Sequence, residues 1–454
     1  MTEYDRVELA SWDHAYVWHP FTQMRDWMAE EPLIIAGGQG AYLIDGAGKR
    51  YLDGVSSLWC NVHGHRHPEL DRALWEQSQH IAHSTLLGLA NVPSIVLAKR
   101  LVDIAPAGLT RIFYSDAGAT AVEIALKMAL QYWHLRGERR RTRFVALAGS
   151  YHGDTLGAVS LGYSETFHRF FKPVLFPCDR LNPPHVYRWQ RGLSASDALG
   201  AAVGEAQALL RTRGDEIAAV IVEPLMQGAA GMWSQPPGYM RALRALTREH
   251  GALLICDEVA TGFGRTGKMF AVEHEDVQPD LMCVGKGITG GYLPLAATFA
   301  TDEIFRAFLA PYEEFKAFFH GHTYTGNALA CAVALASLQV FESERVLKNV
   351  AARSEQMRQF LENDLAGLEH VGDIRQWGLM VGIELVRDRD IRQPYAPADR
   401  VGARTTLEAR RRGVILRPLG NVIVLMPPLC VSDDELRLLC AVTRDAIEQV
   451  TASL

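Results

Sequence analysis

Lys286 stands between the apolar run Leu281-Met282-Cys283-Val284-Gly285 and the small-residue stretch Gly287-Ile288-Thr289-Gly290-Gly291. That context keeps its amine out of free solvent. Desolvation disfavours the ammonium form, so the pKa falls and a neutral, nucleophilic amine becomes available, the environment of a Schiff-base lysine. Upstream, Ala252-Leu253-Leu254-Ile255-Cys256 reads as a buried strand ending on Asp257-Glu258, followed by Val259-Ala260-Thr261-Gly262-Phe263-Gly264-Arg265-Thr266-Gly267. A carboxylate and an amine therefore arrive from consecutive strand ends.

Ser115-Asp116-Ala117-Gly118-Ala119-Thr120 joins a further strand to an amphipathic helix expected over 121–135. Free N–H groups at a helix start, with small residues beside them, suit a phosphate. Tyr151-His152-Gly153 follows another strand and offers an aromatic ring to lie over a flat ligand. Glu223-Pro224 ends one more; a buried carboxylate there needs a cation or donor close by. Together, a strand-end aspartate, a strand-end lysine, an aromatic and a helix N-terminus match the needs of pyridoxal phosphate.

The elements that must position these groups follow one rhythm from about 113 to 285: a short apolar run, a glycine-containing turn, a helical stretch. The runs are 111–114, 143–147, 218–222, 253–256 and 281–284. Buried strands alternating with helices imply an α/β fold with a mostly parallel sheet, whose ligands sit at the carboxyl ends of the strands. The span 177–191 reads as a surface excursion. Near 335 the pattern changes to longer amphipathic helices with a few strands, such as 379–385 and 422–426, and a domain boundary is expected there. The 454 residues exceed the roughly 250–300 that one core serves, so a large and a smaller domain are expected.

A hydrophobic content of 48%, a charged content of 22% and a net charge of -6 describe a folded enzyme with no electrostatic attraction to nucleic acid or an anionic membrane. Seven cysteines without a CxxC pair argue against a disulfide framework and for a reducing compartment. Met1-Thr2-Glu3-Tyr4-Asp5 carries no leader pattern, and no apolar run is long enough to span a bilayer. A cytoplasmic location is expected.

The stretch from Asp257 to Gly267, with Lys286 after Pro279-Asp280-Leu281, resembles the signature of the class III aminotransferases of fold type I. Within that class, Trp18-His19-Pro20-Phe21-Thr22, Asp53-Gly54-Val55-Ser56-Ser57, Lys127 to Trp133, Tyr151-His152-Gly153-Asp154-Thr155, His320-Gly321-His322-Thr323 and Arg417-Pro418-Leu419-Gly420 are similar to the 7,8-diaminononanoate synthases. The resemblance runs from about Trp18 to Pro428. It implies a fold type I transferase: a large domain over 61–334, and a smaller α+β domain built from both termini, 1–60 and 335–454. The implied reaction is amino transfer to 8-amino-7-oxononanoate in biotin biosynthesis, with adenosylmethionine or lysine as donor.

Carried over by position, the resemblance makes Lys286 the residue that bonds to the cofactor and shuttles protons, and Asp257 the partner of the pyridine nitrogen. Gly118 and Ala119 would offer N–H groups to the phosphate, while Tyr151 would cover the ring. His322 and Thr323 join the cofactor contacts, with Thr323 reaching the site of a neighbouring subunit in a homodimer. Phe21, Leu58, Trp59 and Gly321 would border the substrate, and Arg417 would grip a distant carboxylate. Three positions depart from the family: Ala119 replaces a common serine, Phe21 a tyrosine and Leu58 an indole. Each loses a polar or aromatic contact, the last two where an amino donor would be recognised.

Other features have simpler readings. His63, His65 and His67 alternate like metal ligands, yet Gly64 and Pro68 favour a turn, and no carboxylate or cysteine cluster accompanies them. They are expected to be structural, with no metal bound. Trp12, Trp18 and Trp27 suit packing over the active site or a dimer interface, and the arginine-rich stretch 136–143 a solvated connection. Two rival functions share some of these residues: an ω-amino acid:pyruvate aminotransferase, and a non-catalytic cofactor-binding module. The second should lack Lys286 or Asp257.

Overall fold

The structure, a computed structural model, describes residues 4–454. Met1, Thr2 and Glu3, part of the N-terminus read as free of a leader, lie outside them.

Seven strands form the central sheet, in the order Leu109–Ser115, Ala296–Thr301, Leu281–Val284, Leu253–Asp257, Ile217–Val222, Arg143–Leu147, Asp179–Leu181. Six run the same way, and only Ala296–Thr301 is antiparallel to its neighbours. Both faces are covered, which explains why these strands read as continuous apolar runs. Alternate residues supply two separate cores: Val145, Val220, Leu254 and Met282 face one, while Ala146, Ile221, Ile255 and Cys283 face the other, as a two-residue side-chain period requires.

Two of these strands were not expected. Asp179–Leu181 pairs with Arg143–Leu147 as an edge strand, so the proposed surface excursion over 177–191 begins inside the sheet. Three residues among prolines leave too short a pattern to read. Ala296–Thr301 was hidden by its alanines, which favour helix in isolation, although the strand is almost entirely buried. The arginine-rich stretch also differs from a purely solvated connection. Arg141 is buried, donating from Nη1 to the carbonyls of Gly214 and Ile217 at 2.7 and 3.0 Å and lying over the Trp133 ring.

Residues from the two ends of the chain meet in a four-stranded sheet, where Ile35–Gln39, Tyr42–Asp45 and Arg50–Asp53 are joined by Val414–Ile415. A further antiparallel sheet is built from Val371–Trp377, Met380–Asp388, Val422–Leu425 and Arg417–Leu419, with Gln393–Pro394 at its side. The long helix Ala328–Ser343 spans position 335. No helix among the described residues is long and apolar enough to cross a membrane, and the seven cysteines are unpaired.

Candidate active site

Five of the parallel strands deliver a polar motif just beyond their carboxyl ends, and these motifs surround one cavity of about 580 Å³. Phe21, Leu58, Trp59, Gly118, Ala119, Tyr151, Asp257, Lys286 and Arg417 all line it. Such a volume suits a cofactor with a substrate beside it.

Lys286 opens a short helical turn directly after the Leu281–Val284 strand. Its backbone is left-handed, with φ of 42°, an unusual conformation for a side chain that branches into a site. Burial holds its ammonium below the ordinary lysine range, with the charges of Asp257 and Glu223 acting the other way. The Nζ lies 5.4 Å from the centre of the Trp59 ring.

Asp257 is buried at the end of its strand. One oxygen, Oδ2, lies 2.6 Å from Nδ1 of the buried His152, and Oδ1 accepts the Val259 N–H at 3.1 Å. A carboxylate accepts only, so the ring proton belongs on Nδ1. His152 lay within the motif read for its tyrosine, and nothing in its spacing marked it as the partner of a residue 105 positions away. Glu223 is also buried; the donors its carboxylate needs are the N–H groups of Tyr151 at 3.0 Å and Gly228 at 2.9 Å. Burial pushes its carboxyl up to about 7, aided by the charge of Asp257 and opposed by His152.

The helix Gly118–Leu135 starts at the cavity, three residues earlier than its apolar pattern suggests. Thr120 sets this start: its hydroxyl donates to Asp116 Oδ1 at 2.8 Å and accepts the Ala117 N–H at 3.1 Å. The N–H groups of Gly118 and Ala119 belong to the first turn, which has no partners within the helix. A Cβ on Gly118 would stand 2.5 Å from Val259 Cγ1, so only glycine lets the helix start close against the strand-end loop. Gly153, at φ of +123°, likewise brings its loop onto Ala119, where a Cβ would stand 2.2 Å from the alanine's own.

Tyr151 is half-buried and donates its hydroxyl to Asp154 Oδ2 at 2.5 Å. Burial, then this hydrogen bond, raise the phenol well above its usual range. Arg417 begins the strand Arg417–Leu419. Burial lowers its pKa, its buried Nε has no partner, and among the described residues no carboxylate pairs with its guanidinium. At the cavity's edge Phe21 meets Phe167 edge-on, with ring centres 6.3 Å apart. Phe167 lacked any motif that could have singled it out.

Gly321, His322 and Thr323 are not brought to this cavity. Gly321 and Thr323 are exposed; the Thr323 carbonyl lies 2.7 Å from His83 Nε2, and His322 Nε2 lies 3.9 Å from Asp116. The alternating histidines disperse to separate partners: Ser337 for His63, Asp53 for His65 and Glu344 for His67. Among the described residues no group of three or more His, Cys, Asp or Glu could hold a metal ion. Trp18 is exposed, whereas Trp27 and His19 both contact the Asp13 carboxylate.

The cavity thus joins a desolvated amine, a carboxylate fixed by a histidine, a helix start with free N–H groups and an unpaired guanidinium. These residues fit pyridoxal phosphate. The class III aminotransferase model matches residues 24–447, and the chain belongs to that family of pyridoxal-phosphate enzymes. It is 58% identical over 447 residues to the adenosylmethionine-8-amino-7-oxononanoate aminotransferase of Nitratidesulfovibrio vulgaris, covering 98% of this chain and 82% of that protein. The crystal structure of the enzyme of that name from Methanocaldococcus jannaschii has a TM-score of 0.93 at 47% identity, covering 98% of this chain and 99% of the other. An (S)-enantioselective omega-transaminase from Thermomicrobium roseum has a TM-score of 0.94 at 36% identity, covering 99% and 100%. Backbone likeness therefore does not separate the two activities.

Proposed function

We propose that this chain transfers an amino group to 8-amino-7-oxononanoate, forming 7,8-diaminononanoate in biotin biosynthesis, with adenosylmethionine as the amino donor. Arg417 carries this reading: a half-buried, unpaired guanidinium lining the same cavity as Lys286 suits an acceptor with a carboxylate remote from its reacting carbonyl.

Pyridoxal phosphate, when bound, supplies the aldehyde and the electron-accepting ring on which the amino group is carried. The N–H groups of Gly118 and Ala119 would hold its phosphate, and Asp257 would keep a proton on the pyridine nitrogen. His152 fixes the direction of the Asp257 carboxylate by its 2.6 Å contact. Tyr151, oriented by Asp154, would cover the ring. Lys286 would hold the cofactor's aldehyde carbon, and its Nζ, kept from full charge by burial, would accept the proton from the donor carbon and return one to the product. Phe21, Leu58 and Trp59 border the substrate. The exposure of Gly321 and Thr323, on either side of His322 and outside this chain's own cavity, supports a homodimer in which this segment completes the site of the partner subunit.

Product formation from 8-amino-7-oxononanoate with adenosylmethionine, compared with lysine, tests the proposal. Lys286→Ala should abolish it. No transfer to this acceptor from either donor, alongside good turnover of pyruvate, would favour an ω-amino acid:pyruvate aminotransferase. Lysine as the better donor would keep the acceptor and correct the donor.

A further inference from the structure

Between the strand Arg50–Asp53 and the cavity, the backbone adopts left-handed conformations at three non-glycine residues in a run of four: Ser56 at φ of 52°, Ser57 at 60° and Trp59 at 64°. Such conformations persist only where surrounding contacts hold them. This turn carries both Leu58 and Trp59 into the cavity.

The contacts come from Asp53, which is fully buried and does not line the cavity itself. Its two oxygens accept the Ser57 N–H at 3.0 and 2.8 Å, and Oδ1 also accepts the Val55 N–H at 3.3 Å. Oδ2 lies 3.0 Å from His65 Nε2. The direction of that bond follows from its neighbours. Asn61 Oδ1 accepts the Gly64 N–H at 2.7 Å, so Asn61 Nδ2 is the atom that donates to His65 Nδ1 at 3.1 Å. The ring proton is then on Nε2 and is given to Asp53. On its other side the turn is tied down by the Ser56 hydroxyl, which donates to the Met426 carbonyl at 2.6 Å. Trp59 emerges buried, its ring facing Lys286 Nζ and close enough to Gly228 that a Cβ there would stand 3.2 Å from the indole.

We propose that Asp53, oriented by His65 and Asn61, is a positioning residue for amino transfer: it holds the left-handed turn that sets Trp59 and Leu58 against Lys286. It touches neither Lys286 nor the cavity and acts through Trp59. The inference rests on the aminotransferase reading for its kinetic test alone.

The crystal structure of the Asp53→Asn holoenzyme reads it without turnover. The expected result is a relaxed turn, with Ser57 or Trp59 out of the left-handed region and the indole withdrawn from Lys286; an unchanged turn overturns the proposal. Where Asp53→Asn fails to fold, His65→Leu should relax the same turn, while His65→Gln, which can still donate to Asp53 and accept from Asn61, should keep it. For the kinetic test, the conversion of the bound cofactor by adenosylmethionine or lysine is followed by absorbance. Asp53→Asn should slow it about 10- to 100-fold, the effect of a misplacement near 1 Å. In a Trp59→Ala background the same change should cost less than about twofold, because residues acting as one unit are not additive. An equal loss in both backgrounds overturns the proposal. A wild-type enzyme that reacts with amines yet never aminates 8-amino-7-oxononanoate defeats the acceptor assignment and leaves this inference standing.

Discussion

His152 Nδ1 lies 2.6 Å from Asp257 Oδ2, with both side chains buried. The histidine leaves its partner with a single direction, because Oδ1 is held in turn by the Val259 N–H. Replacing His152 by alanine removes a donor from a buried carboxylate without touching the amine of Lys286. Asp257 then keeps only the Val259 N–H on Oδ1 to set its direction. The expected outcome is a fall in kcat of about 10- to 100-fold, while His152→Asn, whose amide can still donate, retains more activity. Equal kcat in wild type and His152→Ala would show that Asp257 needs no help to hold its direction.

The start of the helix Gly118–Leu135 depends on a close approach that only glycine allows. A Cβ at 118 would stand 2.5 Å from Val259 Cγ1, so Gly118→Ala must displace the helix start or the loop after Asp257. Overpacking of this kind costs about 1–3 kcal/mol. It should appear as affinity for pyridoxal phosphate weakened roughly 5- to 150-fold, measured by titrating apoenzyme with the cofactor. The cure is specific: Val259→Ala, added to Gly118→Ala, removes the clashing methyl groups and should restore most of the affinity. A double variant no better than Gly118→Ala would locate the damage elsewhere.

The sequence made the large sheet and its motif-bearing ends legible because buried parallel strands are short continuous apolar runs, each punctuated by the polar residues it delivers. Lys286 and Asp257 stand at such ends, so local context sufficed for both. His152 could not be found that way, since its role depends on which strand ends become neighbours in space. The same limit hid Phe167, and it hid the role of Asp53, which the sequence marked only as the start of a motif, because the partners of both are set by tertiary packing. Ala296–Thr301 failed for a different reason: its alanines have a local preference that burial between two strands overrides. Gly321, His322 and Thr323 lie outside the chain's own cavity, a placement that their local pattern does not encode.

His63 offers a test of stability against pH. It is buried beside Ser337 and Phe341, with Nδ1 unpartnered, and burial, with the nearby His67, pushes its pKa down to about 3. The unfolded chain would protonate this ring near 6.5. Because the folded value is depressed, the contribution is complete above about 6.5 and is lost as the pH falls towards 3, where the unfolded state holds the extra proton. The gap in melting temperature between wild type and His63→Gln should therefore shrink in favour of the variant as the pH is lowered from 7 to 4. A gap independent of pH across that range would show that His63 is not held neutral.

Arg417 can be separated from the chemistry it accompanies. Its guanidinium is half-buried and unpaired in the cavity, so its contribution should lie in gripping the acceptor's carboxylate, equally in the ground and transition states. Charge-assisted hydrogen bonds of this type contribute about 1.5–3 kcal/mol each. Arg417→Ala should raise KM for 8-amino-7-oxononanoate about 10- to 150-fold with kcat little changed. Arg417→Lys keeps the charge but loses the forked geometry, and should fall between the two. The methyl ester of the acceptor completes the argument. Wild type should discriminate strongly against it, whereas Arg417→Ala should use acid and ester about equally. If Arg417→Ala still prefers the acid by the wild-type factor, the carboxylate is bound by another residue and Arg417 shapes the cavity by packing alone.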